Sequence, residues 1–362
     1  MRVPTRPALA LGLCISSACS PGYVLRAGWE EARILARRRP IPEVIADPRT
    51  DPATRGKLEL VLEAREYARR ELGLEPGRSY RDYADVGRDT LALVLSAAPA
   101  DSLVPVTWWF PIVGRVPYLG FFDAERARAE ERALRARGYD TYLRPTTAFS
   151  TLGWLPDPLL STALQGDSVT VVETVIHEVT HATIFVKGQV RFNESFANFV
   201  GLAGAAAFFC TRLPDGPLCR EARARWHDAV LVSELFDTVE DSLRALYARG
   251  APPERVRTDR AALLERLQAR AAAEVVPRLR SHLWTGLDLR RLNNASFLAR
   301  RLYLDRLRTF DRWYRAERED LAALLARWLP ALRRADDPWA ALDRAAAAGQ
   351  AEPAPDLTAG GR

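Results

Sequence analysis

Residues 177–181 read His177-Glu178-Val179-Thr180-His181, and a short way on residues 193–197 read Asn193-Glu194-Ser195-Phe196-Ala197. These two stretches decide the reading of the chain. Two histidines four apart on a helix project from one face, one turn above the other. Both imidazoles can then reach one zinc ion at roughly 2.0–2.1 Å. The intervening Glu178 lies beside the metal, where it can take a proton from zinc-bound water. Catalytic zinc sites keep three protein ligands and one open position. Glu194, at the start of a second helical pattern, offers the third. The alternatives are buried histidines bonded to neighbouring carbonyls, and a first-turn glutamate favoured by the helix dipole. Leaving two histidines and a glutamate on an apolar helix without a partner is costly. The chain has only 4 histidines, and two fall in this motif.

Elements follow outward from this segment. Thr170 to Lys187 reads as the metal helix, with Thr170 and Glu173 as a capping box and Gly188 as its stop. Its Val, Ile and Thr content favours a strand, but the metal spacing and a buried setting overrule propensity. Upstream, 20–40 reads as helical, 53–72 as an amphipathic helix stopped at Gly73, and Tyr80 to Leu95 as helical or mixed. Val104 to Phe110 reads as a strand, Pro111 to Gly120 as turn or extended chain, Ala124–Arg137 as a helix and Tyr139–Arg144 as a second strand. Downstream, Arg220–Ala248, Asp259–Leu283, Asn294–Leu307 and Ala316–Leu332 read as helices. The tail from Gly349 is Gly-, Ala- and Pro-rich and reads as disordered.

The net charge of +6 comes from arginine, since Lys57 and Lys187 are the only lysines. Arginines and acids interleave along helices, as in Glu317-Arg318-Glu319-Asp320, which is a solvated surface with local ion pairs and not a nucleic-acid face. At the N-terminus, Arg2 and Arg6 precede an apolar run from Ala8 to Ile15 and small residues up to Cys19. This is a secretory signal layout. Small residues immediately before a cysteine resemble a bacterial lipobox, which makes Cys19 the lipidated first residue; Ser16 departs from the usual leucine. No later segment has the ~20 uncharged apolar residues needed to span a bilayer. Cys210 and Cys219 flank Pro214-Asp215-Gly216-Pro217. A disulfide there suits an oxidising compartment, and two buried free thiols suit the sequence equally.

The ordered motifs resemble the bacterial "predicted aminopeptidase" lipoproteins of the gluzincin kind. They are Phe110-Pro111-Ile112-Val113-Gly114, Val116-Pro117-Tyr118 with Gly120, Gly138-Tyr139-Asp140, and Ser150-Thr151-Leu152-Gly153-Trp154 with Asp157-Pro158. The metal motif, Val186-Lys187-Gly188, Phe192-Asn193-Glu194 and Leu292-Asn293-Asn294-Ala295 complete the set. The resemblance implies one Zn²⁺ on His177, His181 and Glu194, with Glu178 as base. The fold class to expect is α+β and predominantly helical: zincin-like, with a small mixed sheet before the metal helix and a helical C-terminal part. Residues 1–19 are then a lipoprotein signal and anchor cysteine, 20–348 a single metallopeptidase domain, and 349–362 the tail. Within the domain fall a helical part 20–100, the sheet 103–150, the metal helices 168–209 and the helical part 220–348.

The expected function is zinc-dependent removal of N-terminal residues from peptides. The expected location is the cell envelope, lipid-anchored at the outer membrane and facing the periplasm. Rivals are a zinc endopeptidase or oligopeptidase on the same scaffold, and a non-enzymatic envelope lipoprotein with a structural metal. Tyr303 is the candidate for stabilising the oxyanion, with His227 and His282 behind it; a core tyrosine is the alternative. Asn198, one turn after Glu194, is the candidate partner of a zinc histidine. Ser150, Thr151 and Gly153 are candidates for a substrate-facing edge. Asn293 and Asn294 are candidates for a substrate terminus, with a helix N-cap as the alternative.

Overall fold

The computed structural model describes residue 29 and residues 33–88, 90–110, 114–146 and 158–351. Cys19, Ser150, Thr151, Gly153 and residues 352–362 of the tail lie outside these residues, while residues 349–351, expected to belong to a disordered tail, end a helix. The fold is α+β and predominantly helical with small sheets. Among the described residues no helix is long and apolar enough to cross a membrane.

Among the described residues a helical stretch at 33–36 precedes β1 (Arg39–Pro40), α1 (Ile41–Ala46) and α2 (Pro52–Arg70). Asp51 caps α2, with Pro52 in its first turn. Leu58, Val61, Ala64 and Ala68 recur at helical spacing and are buried, and Gly73 turns the chain at φ +65°. Tyr80 to Leu95 is not helical: it holds β2 (Asp82–Ala84) and the start of β3 (Ala92–Ala98). The absence of helix here has a physical cause. β3 is the middle strand of a sheet in the order β6-β3-β7, between β6 (Leu119–Phe121) and β7 (Asp140–Thr146). Leu95 and Ala97 pack with Leu119 and Leu134, the last on helix α3 (Ala124–Ala136). Helix α8 (Asn294–Arg301) packs against β3 and β7 as well. The Arg300 guanidinium lies 5.0 Å from the Tyr142 ring centroid. Residues alternate across a strand, so α3 covers the Leu95–Leu143 face and α8 the Tyr142–Arg144 face. A strand buried on both sides shows no apolar alternation.

The expected strand over Val104 to Phe110 shrinks to β4 (Trp108–Phe110), which pairs antiparallel with β5 (Gly114–Val116). A second three-stranded sheet joins β1, β2 and β8 (Leu159–Leu160). The main core then forms around α4 (Ser168–Thr183), α5 (Val190–Arg212) and α6 (Pro217–Tyr247). Helices α7 (Pro253–Glu274), α8, α9 (Leu307–Ala316), α10 (Leu321–Leu332) and α11 (Pro338–Ala351) complete the C-terminal part. The expected helix Asn294–Leu307 breaks after Arg301, and that break matters below. Cys210 and Cys219 form a disulfide.

Candidate metal centre

The segment His177–His181 sits on α4. Its N-cap is Asp167, which accepts from the Thr170 amide at 2.8 Å. The expected Thr170–Glu173 capping box is therefore absent. Glu173 instead turns inward to Arg225 at 3.5 Å. Val169, Val171, Val172, Val175, Ile176 and Val179 are buried. Helix propensity costs each such residue up to ~0.7 kcal/mol relative to alanine, while burial contributes roughly 1.5–3 kcal/mol; packing wins. Thr180 and Thr183 donate to the Ile176 and Val179 carbonyls at 2.8 and 2.7 Å, so neither hydroxyl is stranded. The helix ends at Thr183, short of Lys187, and Gly188 serves the next turn at φ +78°.

Residues 184–189 then reverse the chain into α5. Asn193 pins that connection, accepting from the Val186 amide at 2.9 Å and donating to its carbonyl at 2.8 Å. Gly201 permits close helix contact, since a Cβ there would meet the Glu173 carbonyl at 2.8 Å and the His177 Cβ at 3.2 Å. Glu194 is thereby laid against the two histidines. Its Oε2 is 3.7 Å from His177 Nε2, its Oε1 is 3.6 Å from His181 Nε2, and the two Nε2 atoms are 3.1 Å apart. Donors bound tetrahedrally at 2.0–2.1 Å stand roughly 3.3 Å apart, so two imidazoles and a carboxylate at these separations suit one zinc ion. Among the described residues no other group of His, Cys, Asp or Glu converges in this way.

The charges agree with a cation-binding set. Burial pushes the Glu194 carboxyl up, but hydrogen bonds from both imidazoles outweigh it and hold the group well below the usual carboxylate range. Burial depresses His181, and the bond and charge of Glu194 reverse this and raise it. A bound metal displaces such shared protons.

Tyr303 lies beyond the end of α8, in the 302–306 connection, with its ring centroid 6.2 Å from that of His177. This connection is held at three successive carbonyls. Asn198 Nδ2 donates to Tyr303 O at 2.8 Å, Ser233 Oγ to Leu304 O at 2.7 Å, and Ser195 Oγ to Asp305 O. Behind it, Arg301 reaches Glu240 at 2.8 Å and Asp305 at 3.2 Å, while Arg191 reaches the same two acids at 2.8 and 3.0 Å. Asn198 therefore does not serve as the expected histidine partner; its amide holds the tyrosine's backbone. Burial, and then the charge of Glu194, push the Tyr303 hydroxyl pKa well up.

Tyr118, between β5 and β6, feels the charges of Glu194 and Glu178 and is not among the expected site residues. Burial and the Glu194 charge push it up to about 12. Its one sequence signal is its place in Val116-Pro117-Tyr118, since nothing local links that hairpin to the metal helix. Asn293 and Asn294 do not fit the substrate role. Asn293 caps α8 in a capping box and donates to Thr141 O at 2.9 Å. Asn294 is fully buried; its amide donates to Pro99 O at 2.8 Å and Ser102 O at 3.1 Å and accepts from Tyr247 at 2.6 Å. No polar atom of the Asn294 side chain is left for a ligand. His227 is paired with Asp228 at 3.0 Å.

A family model described as "Putative aminopeptidase" matches residues 22–337. The chain belongs to this family. The match spans α4 and α5, the β3–β6–β7 sheet and the connection carrying Tyr303, so the whole candidate site lies inside the matched region. No curated protein and no solved structure matches the chain. The family's description supports peptide hydrolysis as the activity.

Proposed function

We propose that this protein is a zinc-dependent peptidase of the gluzincin type with a zincin-like active site. On this reading it removes N-terminal residues from peptides in the bacterial envelope and is anchored through a lipid on Cys19. The observation that carries the reading is the convergence of His177, His181 and Glu194, with Glu178 on the helix between the two histidines. When bound, a zinc ion polarises a carbonyl and brings the pKa of water toward ~7. His177, His181 and Glu194 would hold it. Glu178 takes the proton of the attacking water and passes it to the nitrogen of the leaving amine. The Tyr303 hydroxyl keeps its proton, because burial holds its pKa high, and so can donate to the carbonyl oxygen as that atom gains negative charge.

Glu178→Gln is nearly isosteric and cannot accept a proton. It is expected to retain zinc and fold while losing 10²–10⁴-fold in peptide hydrolysis. Digestion of a peptide library, read by mass spectrometry, measures this. Turnover within about threefold of wild type would place the base elsewhere.

A further inference from the structure

Arg306 ends the connection that carries Tyr303, and its backbone is left-handed at φ +52°. It precedes α9 without a side-chain capping bond. A residue with a Cβ adopts this conformation at a cost, because the Cβ crowds the following carbonyl. Such a residue persists only where its surroundings fix it. The bonds to the carbonyls of Tyr303, Leu304 and Asp305 stop one residue short of it. Among the described residues the Arg306 guanidinium makes no hydrogen bond or ion pair. It lies 4.5 Å from the ring centroid of Trp339, within reach of a cation–π contact.

Trp339 stands in the first turn of α11, and the same ring meets two further elements. Its centroid is 5.2 Å from that of Phe192, edge to face, and 5.2 Å from that of Phe310. Phe192 lies in the first turn of α5, just ahead of Glu194. Phe310 lies in the first turn of α9, and its amide donates to the Arg306 carbonyl at 3.3 Å. Both phenylalanines are buried, Phe192 stacked on Phe196 and Phe310 on Phe199. One indole therefore touches the helix turn that presents Glu194, the left-handed residue, and the helix that residue leads into. A second clip lies beside it: Gln189, ahead of α5, donates from Nε2 to the Asp336 carbonyl, ahead of α11, at 3.4 Å. The fully buried Leu342 anchors α11 itself in the core.

We propose that Trp339 is a positioning residue for the candidate site. It fixes Arg306 in the left-handed conformation while resting on Phe192, and so seats the connection 302–306 against α5. That seating sets where Tyr303 stands beside His177, 6.2 Å between ring centroids. The kinetic consequence rests on the peptidase reading above; the seating does not.

The test uses the full chain loaded with zinc. Trp339→Leu keeps apolar bulk and removes the aromatic face, whereas Trp339→Phe keeps a face. Hydrogen–deuterium exchange, read by mass spectrometry on fragments covering 302–306 and α4, reports the seating. In Trp339→Leu the 302–306 amides are expected to exchange about tenfold faster, with α4 at the wild-type rate. The kcat for peptide hydrolysis should fall about tenfold, with KM and zinc content unchanged. Trp339→Phe should lie within about threefold of wild type in both readouts. Glycine adopts a positive φ without strain, so adding Arg306→Gly to Trp339→Leu should recover most of both losses. A tryptophan that only filled space could not be compensated at an exposed residue. Unchanged exchange at 302–306 in Trp339→Leu, an equal rise across α4, unchanged kcat, or no recovery from Arg306→Gly would each overturn the proposal. Arg306→Met removes the cation at an exposed residue and leaves the core intact. It should speed exchange in the same fragment, and no change there would overturn the proposal even if Trp339→Leu failed to fold. If no protein, wild type included, cleaves a peptide while the exchange pattern holds, the peptidase reading fails and the role of Trp339 stands.

Discussion

The hairpin of α4 and α5 and the connection 302–306 bring side chains to one point by different physics. The hairpin does so through helical period: a spacing of four puts His177 and His181 together, and one tight turn returns Glu194 to them. The connection has no regular structure. Tyr303 stays in place because bonds to three carbonyls, the buried Arg301 and the partly exposed Arg191 tie it to α5, α6 and α8. A period is local and cooperative, and loss of one contact leaves it standing. A polar network is non-local, and each buried charge depends on its partners.

Arg301→Met should separate the two most sharply. It strips the buried Glu240 and Asp305 of one cation each, and breaking a buried pair costs about 3–5 kcal/mol. Denaturant unfolding measures the loss. Below the unfolding transition, zinc content should stay at one per chain while hydrolysis falls. A variant that loses zinc in proportion to activity would show that hairpin and connection are one unit.

Glu173→Gln probes the hairpin by pH. Burial pushes Glu173 up to about 7, against the opposing charge of Arg225, and its Oε1 has no hydrogen-bond partner. The folded pKa is raised, so the folded protein holds a proton that the unfolded chain releases. Stability is therefore unaffected below the ordinary carboxyl range and falls as pH rises toward about 7. Above that it is level. The stability of the variant, followed by Tm, should match wild type near pH 4.5 and exceed it by pH 8, by on the order of 2 kcal/mol. Parallel Tm profiles would contradict this.

Asn198→Ala should have the smallest effect, about 1 kcal/mol, the ordinary net value of one hydrogen bond. Its kcat should drop by a few-fold with KM and zinc unchanged, because only the Tyr303 carbonyl is released. A changed zinc affinity would restore the histidine-partner role for Asn198.

The same contrast explains what was legible in the sequence. His177, Glu178, His181 and Glu194 were readable because helical spacing carries their geometry. So were α2 and α3, whose caps, apolar faces and terminal glycines are local signals. Tyr303 was named, but on a continuous helix; the break after Arg301 depends on carbonyl acceptors whose donors lie about a hundred residues away. Asp167 displaced Thr170 as the cap because Arg225, on another helix, recruits Asp167, Thr170 and Glu173 together. Tyr118 stands between two short strands, and β6 pairs with a strand remote in sequence, so no period announces it.

The most direct measurement is the metal content of the purified protein and of His177→Ala, His181→Ala and Glu194→Ala, each confirmed folded by circular dichroism. The account predicts one zinc per chain in the wild type. It also predicts loss of zinc in either histidine variant and weakened retention in the glutamate variant. Unchanged zinc in His177→Ala or His181→Ala would contradict the account at its centre.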